Sequence, residues 1–428
     1  MNVLICGGMV IDPGRHHEIS DVLIRDGKIQ AIGENLVDRE NEKAELLVIN
    51  ANGLVVAPGF VDLHAHLREP GFEYKETIET GTASAVAGGF TSVCCMPNTQ
   101  PVNDSQTVTE FILSKARKAG NAHVFPIGAI TKGSEGAELA EIGELHSAGC
   151  VAISDDGRPV MNSQVMRRAM EYAKAFDLPV VDHCECLHLT DSGCMNEGFV
   201  STELGMPGIP NASEDVMVAR NIALAELTGS RLHLAHLSTA GSVQLTRQAK
   251  AKGLPVTAEI CPHHFSLTDE ATRAFNTNAK MNPPLRTAHD VEALKAGLAD
   301  GTIDCIATDH APHAAQEKQL EFDKAPFGIL GFETALPLTM ALVDEGVLTL
   351  EQAIEKLTSA PAKVFSLKKG TLEVGCDADV VLIDPAFTWV VDPAKFHSKS
   401  QNTPFTGWNV KGKVIKTIVD GTVVYESN

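Results

Sequence analysis

The chain is predicted to be an α/β protein: a (β/α)8 barrel of the TIM type with a small β-sandwich domain formed from both termini. Three observations predict it. Short β-branched runs alternate with amphipathic stretches through the middle of the chain, hairpin-like segments crowd both ends, and His and Asp side chains recur where the β-branched runs stop.

The runs that read as strands are 61–66, 91–95, 123–127, 150–153, 179–182, 232–236, 255–260 and 303–307. Between them lie helical stretches such as 74–88, 105–119, 162–176, 213–228, 240–252 and 288–299. Strand, loop and helix repeating in this way imply a parallel sheet with crossover helices. Eight such units suit a closed barrel, whose active site lies at the C-terminal strand ends; an open doubly wound sheet is the alternative. The ends of the chain differ. D-G-K-I-Q-A-I-G at 26–33 and K-G-K-V-I-K-T-I-V-D-G at 411–421 each place a turn before alternating apolar residues and read as hairpins. With D-A-D-V-V-L-I-D at 377–384, they assign residues 1–57 and 366–428 to one discontinuous β-domain enclosing a barrel over 58–365.

Composition narrows the function. The 428 residues are 44% hydrophobic and 21% charged, the balance of an ordinary globular protein. With 55 acidic against 35 basic residues the formal charge is −20, and no Lys/Arg run interrupts it, which argues against nucleic acid and anionic membranes as partners. The N-terminus lacks a basic segment and a small-residue cleavage site, and no apolar run reaches the roughly 20 residues of a membrane span. A soluble, cytoplasmic protein is expected. The ten cysteines accordingly read as reduced thiols. Cys94 and Cys95 read as small core residues, and Cys184 and Cys186 keep zinc-binding thiolate as an alternative.

The strand ends carry the chemistry. Strand one runs into D-L-H-A-H-L-R-E-P-G, so His64 and His66 are two apart and share a face. Strand five ends at His183, strand six at His236 and strand eight at Asp309. Singly, each histidine reads as a core or surface residue; jointly, they form the N/O ligand set that zinc accepts, and two such metals commonly lie about 3.5–4 Å apart. A pair of metals needs a bridging carboxylate. Strand four ends in Asp155 and Asp156, and spacing does not choose between them. His233 reads as structural, and His263 or His264 as a group behind the ligands.

Five stretches are more specific: P-G-F-V-D-L-H-A-H-L-R-E-P-G at 58–71, M-P-N-T at 96–99, S-D-D-G at 154–157, K-M-N-P-P-L-R at 280–286 and T-D-H-A-P-H at 308–313. On these the chain resembles type I bacterial dihydroorotases of the amidohydrolase superfamily, over essentially its whole length. The resemblance implies zinc-dependent, reversible cyclisation of N-carbamoyl-L-aspartate to L-dihydroorotate in de novo pyrimidine biosynthesis. It implies His64, His66 and Asp309 as ligands of one Zn2+, His183 and His236 as ligands of a second, and Asp156 as the bridge. The implied substrate-binding set is His66, Arg68, Asn98, Asn282, His313, Phe327 and Gly328, with Arg68, Asn98 and His313 on the substrate carboxylate. Many superfamily relatives bridge with a carbamylated lysine; strand four has none, and Lys132 is the only nearby candidate. An aspartate is a shorter bridge, so one of the two metals is expected to be held less tightly. A homo-oligomer is implied, with aspartate carbamoyltransferase as a partner that some relatives bind.

Ring opening by water needs an activated nucleophile and a polarised carbonyl, both within zinc's chemistry, and Asp309 is the catalytic proton carrier. Arg68 answers the need for a carboxylate site, since a guanidinium grips a carboxylate with two charge-assisted bonds. The competing readings are a hydantoinase or allantoinase, a non-catalytic subunit scaffolding aspartate carbamoyltransferase, and a structural or storage metal protein. The stretch 311–328 is long for a barrel loop and reads as a lid.

Overall fold

A computed structural model describes residues 2–36 and 46–427. Its centre is a parallel sheet of eight strands: Phe60–Ala65, Phe90–Cys95, His123–Gly128, Ala152–Ser154, Val180–Asp182, Leu232–Leu234, Val256–Ile260 and Cys305–Ile306, strands one to eight below. Each hydrogen-bonds to the next in chain order, and the seam between strand eight and strand one is nearly closed by a parallel bridge from Ala65 to His310, with His66 N donating to His310 O at 2.9 Å. The barrel therefore stands in place of the open sheet.

Helices lie between the strands where apolar periodicity predicts them: Ile78–Ala87, Gln106–Ala119, Ser163–Lys174, Asn211–Thr228, Ala240–Ala251 and Ala288–Ala299. The Ser163–Lys174 helix shows why. Asn162 caps it by accepting from Gln164 N and Val165 N, and Met166, Ala169, Met170 and Ala173 recur at helical spacing to form the buried stripe. Full burial of each methionine contributes roughly 1.5–3 kcal/mol. At the N-terminal strand ends, Phe365, Ala362 and Val364 pack against Val61, Leu63 and Cys305, which leaves the opposite end as the open mouth.

The two ends of the chain meet in a second sheet of eight strands. Val55–Pro58 pairs in parallel with Asn2–Asp12 on one side and antiparallel with Val380–Val390 on the other, then leads straight into strand one. Asp26-Gly27 makes the expected hairpin, with both residues at positive φ (50° and 72°) as a two-residue turn of this hand requires. The second hairpin differs from expectation. Lys411-Gly412 lies inside the strand Asn409–Val419 and is no turn; the chain reverses at Asp420-Gly421 instead. Gly412 serves packing, since a Cβ there would come within 2.9 Å of Met340 Cγ. Among the described residues no helix is long and apolar enough to cross a membrane.

Candidate active site

The C-terminal strand ends gather the predicted residues around one cavity of about 320 Å3. His66, Arg68, Asn98, Asp156, His183, His236, Asn282, Asp309, His313, Phe327 and Gly328 all line it, and His64 lies fully buried beneath. Two larger clefts of about 740 and 530 Å3 elsewhere hold none of these residues.

Asp156 is the hub. Its Oδ1 lies 3.4 Å from His64 Nε2, 3.7 Å from His183 Nδ1 and 3.7 Å from His236 Nε2, while Oδ2 lies 3.6 Å from His66 Nε2. Asp309 Oδ1 is 3.0 Å from His66 Nε2 and 3.6 Å from His64 Nε2. Burial pushes both carboxyls up, yet the histidines around them outweigh it and hold both well below the usual carboxylate range. Two interlocking groups, His64–His66–Asp309 and His64–Asp156–His236, have ligand atoms within 4.8 Å of one another. Buried His64 Nε2 and Asp156 Oδ1 face each other without a hydrogen-bond partner, an arrangement that a cation between them would satisfy.

The contacts of the two aspartates differ. Asp155 Oδ1 accepts from Ile130 N and Thr131 N at 2.8 and 3.1 Å, and Oδ2 accepts from the Thr131 hydroxyl, so this carboxylate is spent on the strand-three loop. Lys132, the alternative bridge, is half-exposed and pairs with Glu138 at 2.6 Å. Cys184 is buried against Asp182 and Asn221, and neither it nor Cys186 lines the cavity.

Other groups orient the ligands. Asn98 Oδ1 lies 2.9 Å from His66 Nδ1, and its amide donates to Asp156 Oδ2 at 3.2 Å, which leaves one N–H free toward the cavity. His183 Nε2 lies 3.1 Å from Glu185 Oε2, and Asn282 donates to the same oxygen at 3.1 Å. Burial lowers the His183 pKa, but Glu185 and Asp156 raise it to about 9. Sequence reasoning missed Glu185, although its place two residues after His183 was a signal. It also missed Glu259, whose Oε1 is 2.9 Å from His64 Nδ1. His264 Nε2 lies 2.9 Å from Pro283 O and serves the loop carrying Asn282.

One side of the cavity is cationic. Arg68 is buried, donates Nε–H to Pro312 O at 3.1 Å and approaches His313 Nε2 with Nη2 at 3.3 Å. Among the described residues no carboxylate pairs with it. Burial lowers its pKa to about 10, with Asp309 and Asp156 opposing. His313 Nδ1 meets Lys75 Nζ at 3.2 Å, and burial together with Arg68, Lys75 and Lys318 drives the imidazole far toward neutrality. A neutral imidazole accepts on only one nitrogen, so His313 cannot satisfy both donors.

The loop 311–328 closes the rim and is held from beneath. Lys280 Nζ donates to Phe322 O, Asp323 O and Ala325 O at 2.7, 3.1 and 2.7 Å. Lys318 Nζ donates to Pro326 O and Gly328 O at 2.8 and 3.1 Å. Asn402 joins the loop's two ends by donating to Ala311 O and Gly328 O.

A barrel with His and Asp side chains converging at its mouth is the architecture of the amidohydrolases, and the model of the amidohydrolase family matches residues 203–425. The dihydro-orotase-like family model matches residues 53–242. Over its full length the chain is 55% identical to a dihydroorotase of Geobacter metallireducens and 53% identical to one of Syntrophus aciditrophicus, each covered completely. Among solved structures, an L-hydantoinase of Arthrobacter aurescens superposes with a TM-score of 0.87 at 27% identity, covering 99% of this chain and 96% of that one. A D-hydantoinase of a Thermus species gives 0.82 at 26%, covering 100% and 96%. The chain belongs to the dihydroorotase family.

Proposed function

We infer that this chain is a dihydroorotase, an enzyme of pyrimidine biosynthesis that interconverts N-carbamoyl-L-aspartate and L-dihydroorotate. Full-length relatives of that name at 53–56% identity support it. The observation that carries the choice of substrate is the buried guanidinium of Arg68, facing the cavity beside Lys75 and His313 with no carboxylate of its own. An uncompensated buried cation is costly and needs an anion. A substrate carboxylate supplies one; a neutral hydantoin ring does not.

The donor set fits a pair of zinc ions, with His64, His66 and Asp309 toward one, His183 and His236 toward the other and Asp156 shared. When bound, the metals supply an acidified water and Lewis acidity at the scissile carbonyl. The chain's own residues do the rest. Arg68, with Asn98 and His313, fixes the substrate carboxylate, while Asn282 and the backbone at Phe327 and Gly328 meet the ring amide. Asp309, at the mouth of the barrel beside His66, takes the proton of the attacking water and passes it to the departing ring nitrogen. In cyclisation the transfers reverse.

The test is to assay hydrolysis of dihydroorotate and of hydantoin, with metal content measured on the same preparation. Dihydroorotate should be the preferred substrate, and Arg68→Met should raise its KM by roughly 10- to 100-fold, the equivalent of a charge-assisted hydrogen bond of about 1.5–3 kcal/mol. Preference for hydantoin, or an Arg68→Met enzyme with unchanged kinetics, would sink the reading.

A further inference from the structure

We propose that Glu259, on strand seven, is a positioning residue: it fixes the tautomer and orientation of His64. The inference rests on the metal-ligand reading above and extends it to a residue outside that ligand set.

His64 has no exposed surface, and its ring is addressed from both sides. Nδ1 lies 2.9 Å from Glu259 Oε1, while Nε2 faces Asp156 Oδ1 and Asp309 Oδ1 at 3.4 and 3.6 Å. With a metal on Nε2 the imidazole is neutral and carries its one N–H on Nδ1, and a carboxylate can only accept. Glu259 therefore takes the Nδ1–H, and the Nε2 lone pair is left pointing at Asp156 and Asp309. A lone pair facing two carboxylates is repulsive unless a cation lies among them. A carboxylate behind a ligating imidazole also makes its free nitrogen more basic.

The other oxygen of Glu259 faces a histidine without forming a hydrogen bond. Oε2 lies 3.1 Å from His233 Nε2, and His233 Nδ1 lies 2.9 Å from Thr257 Oγ1 on the same strand as Glu259. Glu259 and His233 are both 0% exposed. Among the described residues no lysine or arginine pairs with Glu259, and the groups that face its oxygens are the imidazoles of His64 and His233. A buried carboxylate is costly to desolvate, and a buried pair is weak evidence for stability. Its presence in the barrel interior is explained by what it does to His64.

The experiment compares wild-type protein with Glu259→Gln, Glu259→Leu and His64→Asn, measuring zinc affinity by chelator competition and the thermal unfolding of each metal-free protein. Glu259→Leu should weaken the tighter zinc step by roughly 10- to 100-fold and, because it leaves buried His64 Nδ1 unpaired, should also make the metal-free protein unfold earlier. Glu259→Gln keeps an oxygen acceptor for Nδ1–H without the charge, so it should fall between Leu and wild type. A purely structural role leaves zinc affinity at the wild-type value in the Gln variant and in a folded Leu variant, and overturns the proposal. If Glu259→Leu does not fold, wild-type affinity in the isosteric Gln variant alone overturns it. His64→Asn separates the two layers: should it bind zinc like wild type, the ligand assignment itself fails. If it loses zinc while both Glu259 variants bind normally, only the positioning role falls.

Discussion

Replacing Lys280 with Met should open the rim of the cavity while leaving the metal ligands in place. The ammonium is buried, donates to three loop carbonyls and lies 4.6 Å from the centre of the Phe327 ring. Met keeps the apolar stem against Phe322 and Phe327 but offers no donor. Each carbonyl left buried without a partner costs roughly 1–3 kcal/mol. Against that, the wild-type protein carries the desolvation of a buried cation, which pushes the Lys280 pKa down, and the loop can relax toward water. A net loss of about 3 kcal/mol follows, borne by the loop because no Lys280 Nζ contact reaches a barrel strand. At 1.4 kcal/mol per factor of ten, local opening becomes about 100-fold more frequent. Hydrogen exchange reads this directly at amides such as Gly328 N, which donates to Lys280 O at 2.9 Å. The KM for dihydroorotate should rise as the Phe327-Gly328 backbone leaves the cavity, with zinc content unchanged. Wild-type exchange in 311–328, or loss of zinc together with a global fall in Tm, would refute the clamp.

Asp309→Asn should retain its fold and lose nearly all turnover, since the amide cannot carry the proton; a tenth of wild-type turnover would remove that role. Lys318 tests the same loop through pH. Burial, with Lys280 adding, lowers its pKa to about 7 while Glu317 opposes. A lysine whose folded pKa lies below its unfolded value of 10.5 favours folding when neutral, so its contribution is present above that value and is lost as pH falls to about 7. The difference in unfolding free energy between wild type and Lys318→Met should therefore shift in favour of wild type from pH 7 to 10, and a flat difference contradicts it. Chelated protein should regain activity with zinc in buffer stripped of carbon dioxide; Asp156→Ala should not recover, whereas Asp155→Ala should recover in part. A bicarbonate requirement would reassign the bridge.

What was legible in the sequence is what local pattern encodes. His64 and His66 announce themselves by spacing, and His183, His236 and Asp309 by closing β-branched runs. Strand ends are less legible, for a physical reason: 232–236 reads as strand, and the regular strand ends at Leu234, with Ala235 N and Leu237 N still donating to Asp182 O and Glu259 O while His236 between them turns out at φ 31° to face Asp156. Glu259 was invisible. In V-T-A-E-I an acidic residue looks like the polar half of a half-exposed strand, and its partner His64 lies 195 residues away. Lys280 and Lys318 hid in the same way, because lysine is read as surface unless the carbonyls it serves are known. Asp155 and Asp156 are indistinguishable in S-D-D-G, and only the amides of Ile130 and Thr131, from the neighbouring strand's loop, separate them.

The backbone at the mouth connects these details to catalysis. Arg68, His236 and Asp309 all hold positive φ, at 63°, 31° and 45°, where none has glycine's freedom. Each such residue costs of order 1–3 kcal/mol and persists only where its surroundings over-determine it. Here they do. Arg68 is fixed by Pro312 O and His313, and Asp309 lies between Thr308, which bonds to Asp62 through both N–H and hydroxyl, and His310, whose Nδ1 accepts from Gly331 N. Side chains that followed a regular strand would alternate between barrel interior and helix layer. The left-handed kinks release them from that alternation, so Arg68, Asp309 and His236 reach one cavity from the ends of three different strands. Arg68 and Asp309 flank the strand-one to strand-eight seam, where the Ala65–His310 bridge holds them, while His236 is held on strand six between Ala235 N, which donates to Asp182 O, and Leu237 N, which donates to Glu259 O, so backbone bonds on either side carry the strain.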